Sequence, residues 1–166
     1  MSSLVEEYEE WNTPLIGAFL LWAFNKSYVE HHSTNDAAVV IEDFLVYSLL
    51  MSKNYNERIT NRTTTVAAYV QSFTDKKQSD ILASLVSKIN EDKEIALKSV
   101  DFAVSFGLLV WDCETAKLYP KSLDDNQMSV LKNLPIMKLQ KKAEILGKWF
   151  SQVNLNTLLS LFGVVL

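Results

Sequence analysis

The stretch Ile95-Ala-Leu-Lys-Ser-Val-Asp-Phe-Ala-Val-Ser-Phe-Gly-Leu-Leu-Val-Trp-Asp-Cys-Glu-Thr-Ala-Lys-Leu-Tyr-Pro120 changes its hydrophobic period partway along, and the fold is read outward from that change. Up to Leu109 the apolar residues Leu97, Val100, Ala103, Val104 and Phe106 fall at three- and four-residue steps, which is one face of a helix. Beyond Gly107 the period shortens toward two, with Leu109, Trp111 and Cys113, then a polar turn at Glu114 and Thr115, then Ala116, Leu118 and Pro120. That is a hairpin. A helix running straight into a two-stranded wing is the closing unit of a winged helix, an arrangement that serves both DNA binding and protein docking. The expected fold class is mainly α: a helical domain with a winged-helix-like helix plus β-hairpin unit.

Upstream, Thr13-Pro14 predicts a helix start, because the Thr hydroxyl can cap free backbone N–H groups and Pro in the first turn has no N–H to satisfy. The following helix, to about Tyr28 or Val29, is apolar on every side between Leu15 and Phe24. Such a helix is either central and buried or covered on its second face by another protein. Residues 37–53 are again apolar with helical spacing in their second half, although the β-branched beginning weakens the first turn. Residues 54–62 read as a polar loop, and Thr63 to Thr65 offer caps for a short helix through Phe73. After a break at residues 75–78, Ile81, Leu82, Leu85, Val86 and Ile89 mark a helix ending near Asn90, with Asp92 placed to cap the helix of the opening stretch. Residues 121–126 form a polar turn containing Asp124-Asp125, residues 128–134 are ambiguous, and Pro135 restarts a helix with Ile136, Leu139, Ala143, Leu146 and Phe150 along one stripe. Asn154 or Asn156 caps a last short helix, and Gly163 is placed to close it. The expected organisation is one domain over residues 1–166, comprising an acidic lead-in (1–12), apolar helices (13–53), helices and wing hairpin (63–120) and C-terminal helices (135–166).

With 166 residues, 48% of them apolar, the chain can bury a sizeable core. Its longest apolar stretch, residues 15–24, is about half of what crosses a bilayer, so no membrane span is expected. Glu6, Glu7, Glu9 and Glu10 stand where a signal peptide would carry cations, and the expected location is the cytoplasm. A single cysteine, Cys113, excludes an internal disulfide and a cysteine zinc cage. Charge is segregated: residues 1–114 hold nine Lys and Arg against seventeen Asp and Glu, whereas residues 115–166 hold seven against three. An acidic front and a basic back suit a protein that meets two different surfaces.

No residue pattern carries catalysis. The four glycines fall within or at the ends of predicted helices rather than in a phosphate loop. His31 and His32, the only histidines, sit in a polar linker without a carboxylate or cysteine at ligand spacing, and no nucleophile accompanies them. Asp112, Glu114 and Lys117 resemble a metal-dependent nuclease set in type only, since all three crowd one hairpin. No catalytic residue, cofactor or metal ligand is therefore expected, and the protein is read as not an enzyme. Lys138, Lys141, Lys142 and Lys148 decorate the last long helix as a basic face, suited to solvent, an acidic partner or phosphate. The helix before the wing offers mainly Lys98, Ser99 and Asp101, poor material for reading base edges. Candidate partner-interface residues are Phe19, Trp22 and Phe24 on the first apolar helix, Trp111 and Leu118 on the wing, and Trp149 beside the basic face.

Trp11-Asn-Thr-Pro14, the apolar first helix, Phe106-Gly-Leu-Leu109 entering a hairpin, Ala143-Glu-Ile-Leu-Gly-Lys-Trp-Phe150 and Phe162-Gly-Val164 together give most of the chain a family likeness. It resembles the small middle components of bacterial three-component ABC ATPase systems, of which the third subunit of the Lamassu antiphage systems is one. Where many relatives follow that Gly-Val with a basic residue and proline, this chain has Val165-Leu166. The resemblance implies a non-catalytic adapter between an SMC- or Rad50-like ABC ATPase and an effector such as a nuclease, with room for non-specific DNA contact within the complex. The rival reading is a winged-helix transcriptional regulator that binds duplex DNA by itself.

Overall fold

The computed structural model describes residues 14–74 and 78–164. The acidic lead-in, Trp11 and the Thr13 cap, residues 75–77 of the predicted break, and Val165-Leu166 lie outside the described residues.

Helix α1, Pro14–His31, is the axis on which the other elements pack, and every residue from Ile16 to Asn25 is buried. A helix apolar on all sides needs cover on all sides, and this chain supplies it. The β-branched stretch that follows begins as a two-residue strand, β1 (Ala38–Val39), before winding into α2, Val40–Met51. Within the expected loop is a single helical turn, α3 (Lys53–Asn56), pinned by buried Tyr55, whose hydroxyl donates to the Ile81 carbonyl at 2.5 Å. Helix α4, Val66–Gln71, starts at Thr65, whose hydroxyl accepts from the Ala68 amide as the threonine run predicts.

The short α5, Ser79–Ala83, is followed by the 21-residue α6, Leu85–Ser105. Here the sequence expectation is corrected, because the break falls at Ser84 and the helix runs unbroken through Asn90. Asp92 caps nothing. It is a buried mid-helix carboxylate that accepts the Ser48 hydroxyl of α2 at 3.0 Å and pairs with Lys88, one turn earlier, at 2.9 Å. With those partners on α2 and α6, a carboxylate can sit inside a helix interface.

At the end of α6, Gly107 takes φ +77°, a left-handed conformation that a side chain would strain, and turns the chain into the hairpin. Strand β2 (Leu109–Asp112) pairs antiparallel with β3 (Lys117–Pro120), and β3 pairs on its other edge with β1, Ala38 opposite Leu118. The sheet order is β1-β3-β2. Helix α7, Asp125–Asn133, resolves the ambiguous stretch: Asp124 accepts the Gln127 amide, and the Gln127 side chain bonds back to the Asp124 amide and out to the Phe106 carbonyl at 2.6 Å. Helix α8 (Met137–Phe150) and α9 (Leu155–Phe162) complete the fold, α9 capped by Asn154 and closed by Gly163 at φ +67°. The fold is mainly helical with one small antiparallel sheet.

Helix α6 meets α1 at Gly17, against Ser99 and Tyr47 of α2, and α8 meets it farther along, where Gly147 faces Phe24, Ser27 and Tyr28. The core is continuous across these contacts. At the α8 end, Phe24, Phe150 and Phe162, with Tyr69 and Trp149, form a linked aromatic cluster with ring centroids 5.5 to 6.2 Å apart. Among the described residues no helix is long and apolar enough to cross a membrane.

Candidate partner-docking surfaces

Five of the six aromatic and apolar side chains proposed as interface anchors face inward. Phe19, Phe24 and Leu118 are fully buried, and Trp149 and Trp22 nearly so. Their apolar character is used up within the chain, because α2, α6, α8 and β3 all close on α1. The Trp22 indole N–H donates to the Lys121 carbonyl at 2.8 Å, and Trp149 packs on Tyr69. Trp111 differs, with 41% of its surface exposed.

Trp111 lines an apolar groove of about 510 Å³. Val40 and Phe44 of α2 form one wall, Leu97 and Val104 of α6 the other, and buried Val100 the base. Leu97 is 50% exposed and Val104 37%. The two are seven residues apart, two helical turns, and therefore lie above one another on the same face. Asp101, also exposed, stands between them in the wall. The period of residues 95–106 marks an apolar helix face, but it cannot say which apolar residues outrun the cover that α2 provides.

The four lysines of α8 divide. Lys138, Lys141 and Lys148 are exposed. Lys142 turns inward and its ammonium donates to the Asn56 carbonyl at the end of α3, where burial lowers its pKa. It therefore ties two elements together, and the exposed basic face comprises the other three lysines with Glu144 among them.

The remaining polar candidates have structural partners. His32 stacks on Tyr28 and accepts the Thr34 and Asp36 amides at its Nδ1, while the His31 ring bonds the Ser27 carbonyl one turn back. Lys117 pairs with Asp36 at 2.6 Å, and Asp112 accepts the Glu114 amide within the hairpin turn. The Lys117–Asp36 bond holds the Lys117 pKa up and the Asp36 pKa down. Among the described residues no cluster of three or more His, Cys, Asp or Glu could hold a metal ion.

One polar cluster was not foreseen. Asp43, wholly buried between α2 and α1, accepts the Asn25 side-chain amide at 2.5 Å, and the same amide nitrogen donates to the Leu21 carbonyl. The second carboxylate oxygen, Asp43 Oδ2, and the amide oxygen, Asn25 Oδ1, have no donor among the described residues. Burial pushes the Asp43 pKa well up, and a proton on the carboxyl removes a buried charge from this site. Beside it, buried Glu42 accepts the Val39 amide at 2.9 Å at the start of α2, and its pKa is pushed up to about 7 by burial.

Residues 1–166 match the model of the family described as ABC-three component (ABC-3C) system Middle Component 3. The chain belongs to that family. No curated protein and no solved structure matches it. The apolar groove and the exposed lysines are therefore features of a middle component, a protein that belongs to a three-part ABC system.

Proposed function

We propose that this middle component is a non-catalytic adapter working in the cytoplasm, holding an SMC- or Rad50-like ABC ATPase and an effector such as a nuclease in one antiphage complex of the Lamassu kind. The observation that carries the reading is the pairing of two chemically opposite surfaces on one continuous core: an apolar groove with Asp101 in its wall, and the exposed lysines of α8. Opposite surfaces select different partners, since like charge disfavours the wrong one. The test is to tag the protein in its native operon, purify at moderate salt and weigh the intact assembly by native mass spectrometry. Recovery with both an ABC ATPase and a second chain is expected, whereas a lone monomer or homodimer overturns the adapter. Charge reversal of Lys138, Lys141 and Lys148 is expected to release one of the two components and leave the other bound. Lys142 is kept, because its bond to Asn56 serves the fold.

The rival regulator reading draws on the helix, the hairpin and the third strand paired with it, an arrangement we read as winged-helix-like. Charge argues against it. The exposed surface of α6 carries Glu91, Glu94 and Asp101 beside Lys93 and Lys98, with half-buried Lys88 already paired to Asp92, and a helix so mixed gains little from a phosphate backbone. Salt-dependent binding of the isolated protein to its own promoter would reinstate that reading.

A further inference from the structure

Resting on the adapter reading, we infer that the groove between α2 and α6 seats an amphipathic helix of another component, with apolar anchors on one face and Lys or Arg on its flanks. The walls are themselves helices, and Leu97 and Val104 span about 10 Å along α6 at 1.5 Å per residue. That span matches an incoming helix offering anchors at i, i+4 and i+7. A volume of about 510 Å³ accepts a few large side chains, with Trp111 in its lining as an aromatic contact.

Charge decides the flanks. Along α6 and the hairpin, Glu91, Asp92, Glu94, Asp101, Asp112 and Glu114 outnumber Lys88, Lys93, Lys98 and Lys117, and two of those lysines are already held in ion pairs, Lys88 by Asp92 and Lys117 by Asp36. Glu94 and Asp101 are both exposed and lie two turns apart on one side of the apolar stripe with Lys98 between them, so a cation on the incoming helix meets a carboxylate at either end of that side. The same carboxylates repel a phosphate backbone or an anionic membrane. A second copy of this chain fits less well. Its lysine-bearing helix α8 has already buried Ala143, Leu146 and Phe150 and keeps only Met137 as a largely exposed apolar side chain, so it brings charge with a single anchor at its first turn.

The test uses the assembly purified from the native operon. A photo-crosslinking residue at position 97, where the side chain is half exposed, is expected to link to one other component at a segment flanked by Lys or Arg. The paired change Glu94→Lys and Asp101→Lys, both at exposed positions of α6, is expected to lower recovery of that same component tenfold or more while the remaining one stays bound. A crosslink to a second copy overturns the proposal, and so does recovery that the charge pair leaves unchanged. An intact three-part complex that gives no crosslink at position 97 removes the groove assignment alone. If the unmodified protein brings down neither component, the adapter reading falls and the groove assignment falls with it.

Discussion

Glu42 and Asp43 are adjacent, both buried, and both easier to bury protonated than charged. Their effect on stability has a definite sign. An unfolded glutamate releases its proton near its ordinary value of 4.5, whereas in the fold Glu42 holds it to about 7. Between those values the folded state binds more protons than the unfolded chain, so stability falls as pH rises, by about 1.4 kcal/mol per unit for a full proton. Below 4.5 the effect vanishes and above 7 it levels off; Asp43 acts in the same direction. Glu42→Gln keeps an oxygen for the Val39 amide and removes the titration. Denaturant unfolding at pH 5 and pH 8 is expected to show the unmodified protein losing about 2 kcal/mol more than the variant over that interval. Equal losses would mean that Glu42 is solvated in solution. The pair was hidden in the sequence because a carboxylate at the start of a helix normally reads as a solvated residue favouring the helix dipole. Only the arrival of α1, with Asn25 against Asp43, turns it into a buried group.

At the level of elements, the contact between α1 and α8 depends on one missing side chain. A Cβ on Gly147 would lie 2.5 Å from the Phe24 carbonyl oxygen, 2.7 Å from Ser27 Cβ and 2.8 Å from the Tyr28 amide nitrogen. Two of these are backbone atoms of a buried helix, which cannot move aside as a flexible side chain does. Gly147→Ala should therefore force the helices apart despite the better helix propensity of alanine, at a cost of about 3 kcal/mol. For a domain of this size that is a fall of roughly 6–12 °C in Tm by calorimetry; an unchanged or raised Tm would refute the close packing. The elements themselves were largely legible. Thr65, Asn154 and Gly163 punctuate helices as their chemistry dictates, and the change of period at Gly107 located both the hairpin and the helix before it. The misreadings share one cause. Asp92 looked like a cap and residues 54–62 like plain loop, and each was decided by a contact from distant sequence: Ser48 in one case, Ile81 and the Lys142 ammonium in the other. Five of the six expected interface anchors are buried for the same reason, since an apolar helix face reads identically whether the chain or a partner covers it. Leu97 of α6 and Trp111 of β2 stay exposed along a groove that they share with Val40 and Phe44 of α2, a fact of tertiary packing that no periodicity contains.

For the molecule as a whole, the separation of its two poles decides whether an adapter can release one partner while keeping the other. Helix α6 reaches α1 at Gly17 and α8 reaches it near Ser27, ten residues on, or about 15 Å along the helix axis. The groove and the lysines lie on the outward parts of those two helices, so their side chains share no contact in the hydrogen-bond and ion-pair pattern of the described residues. Substitutions that far apart with no common partner add in free energy to within about 0.5 kcal/mol, a factor of about two in binding. The charge pair at Glu94 and Asp101 and the reversal at Lys138, Lys141 and Lys148 are therefore expected to act independently. Measured as recovery of each component from the native assembly, the combined variant should lose both, each by the fold-change seen in the corresponding single set, to within that factor of two. Both losses should shrink as salt rises and weakens the parent contacts, because the carboxylates and ammonium groups involved are exposed and screened. A tenfold departure from independence would mean that one partner spans both surfaces, and the middle component would then be clasped by a single chain rather than strung between two.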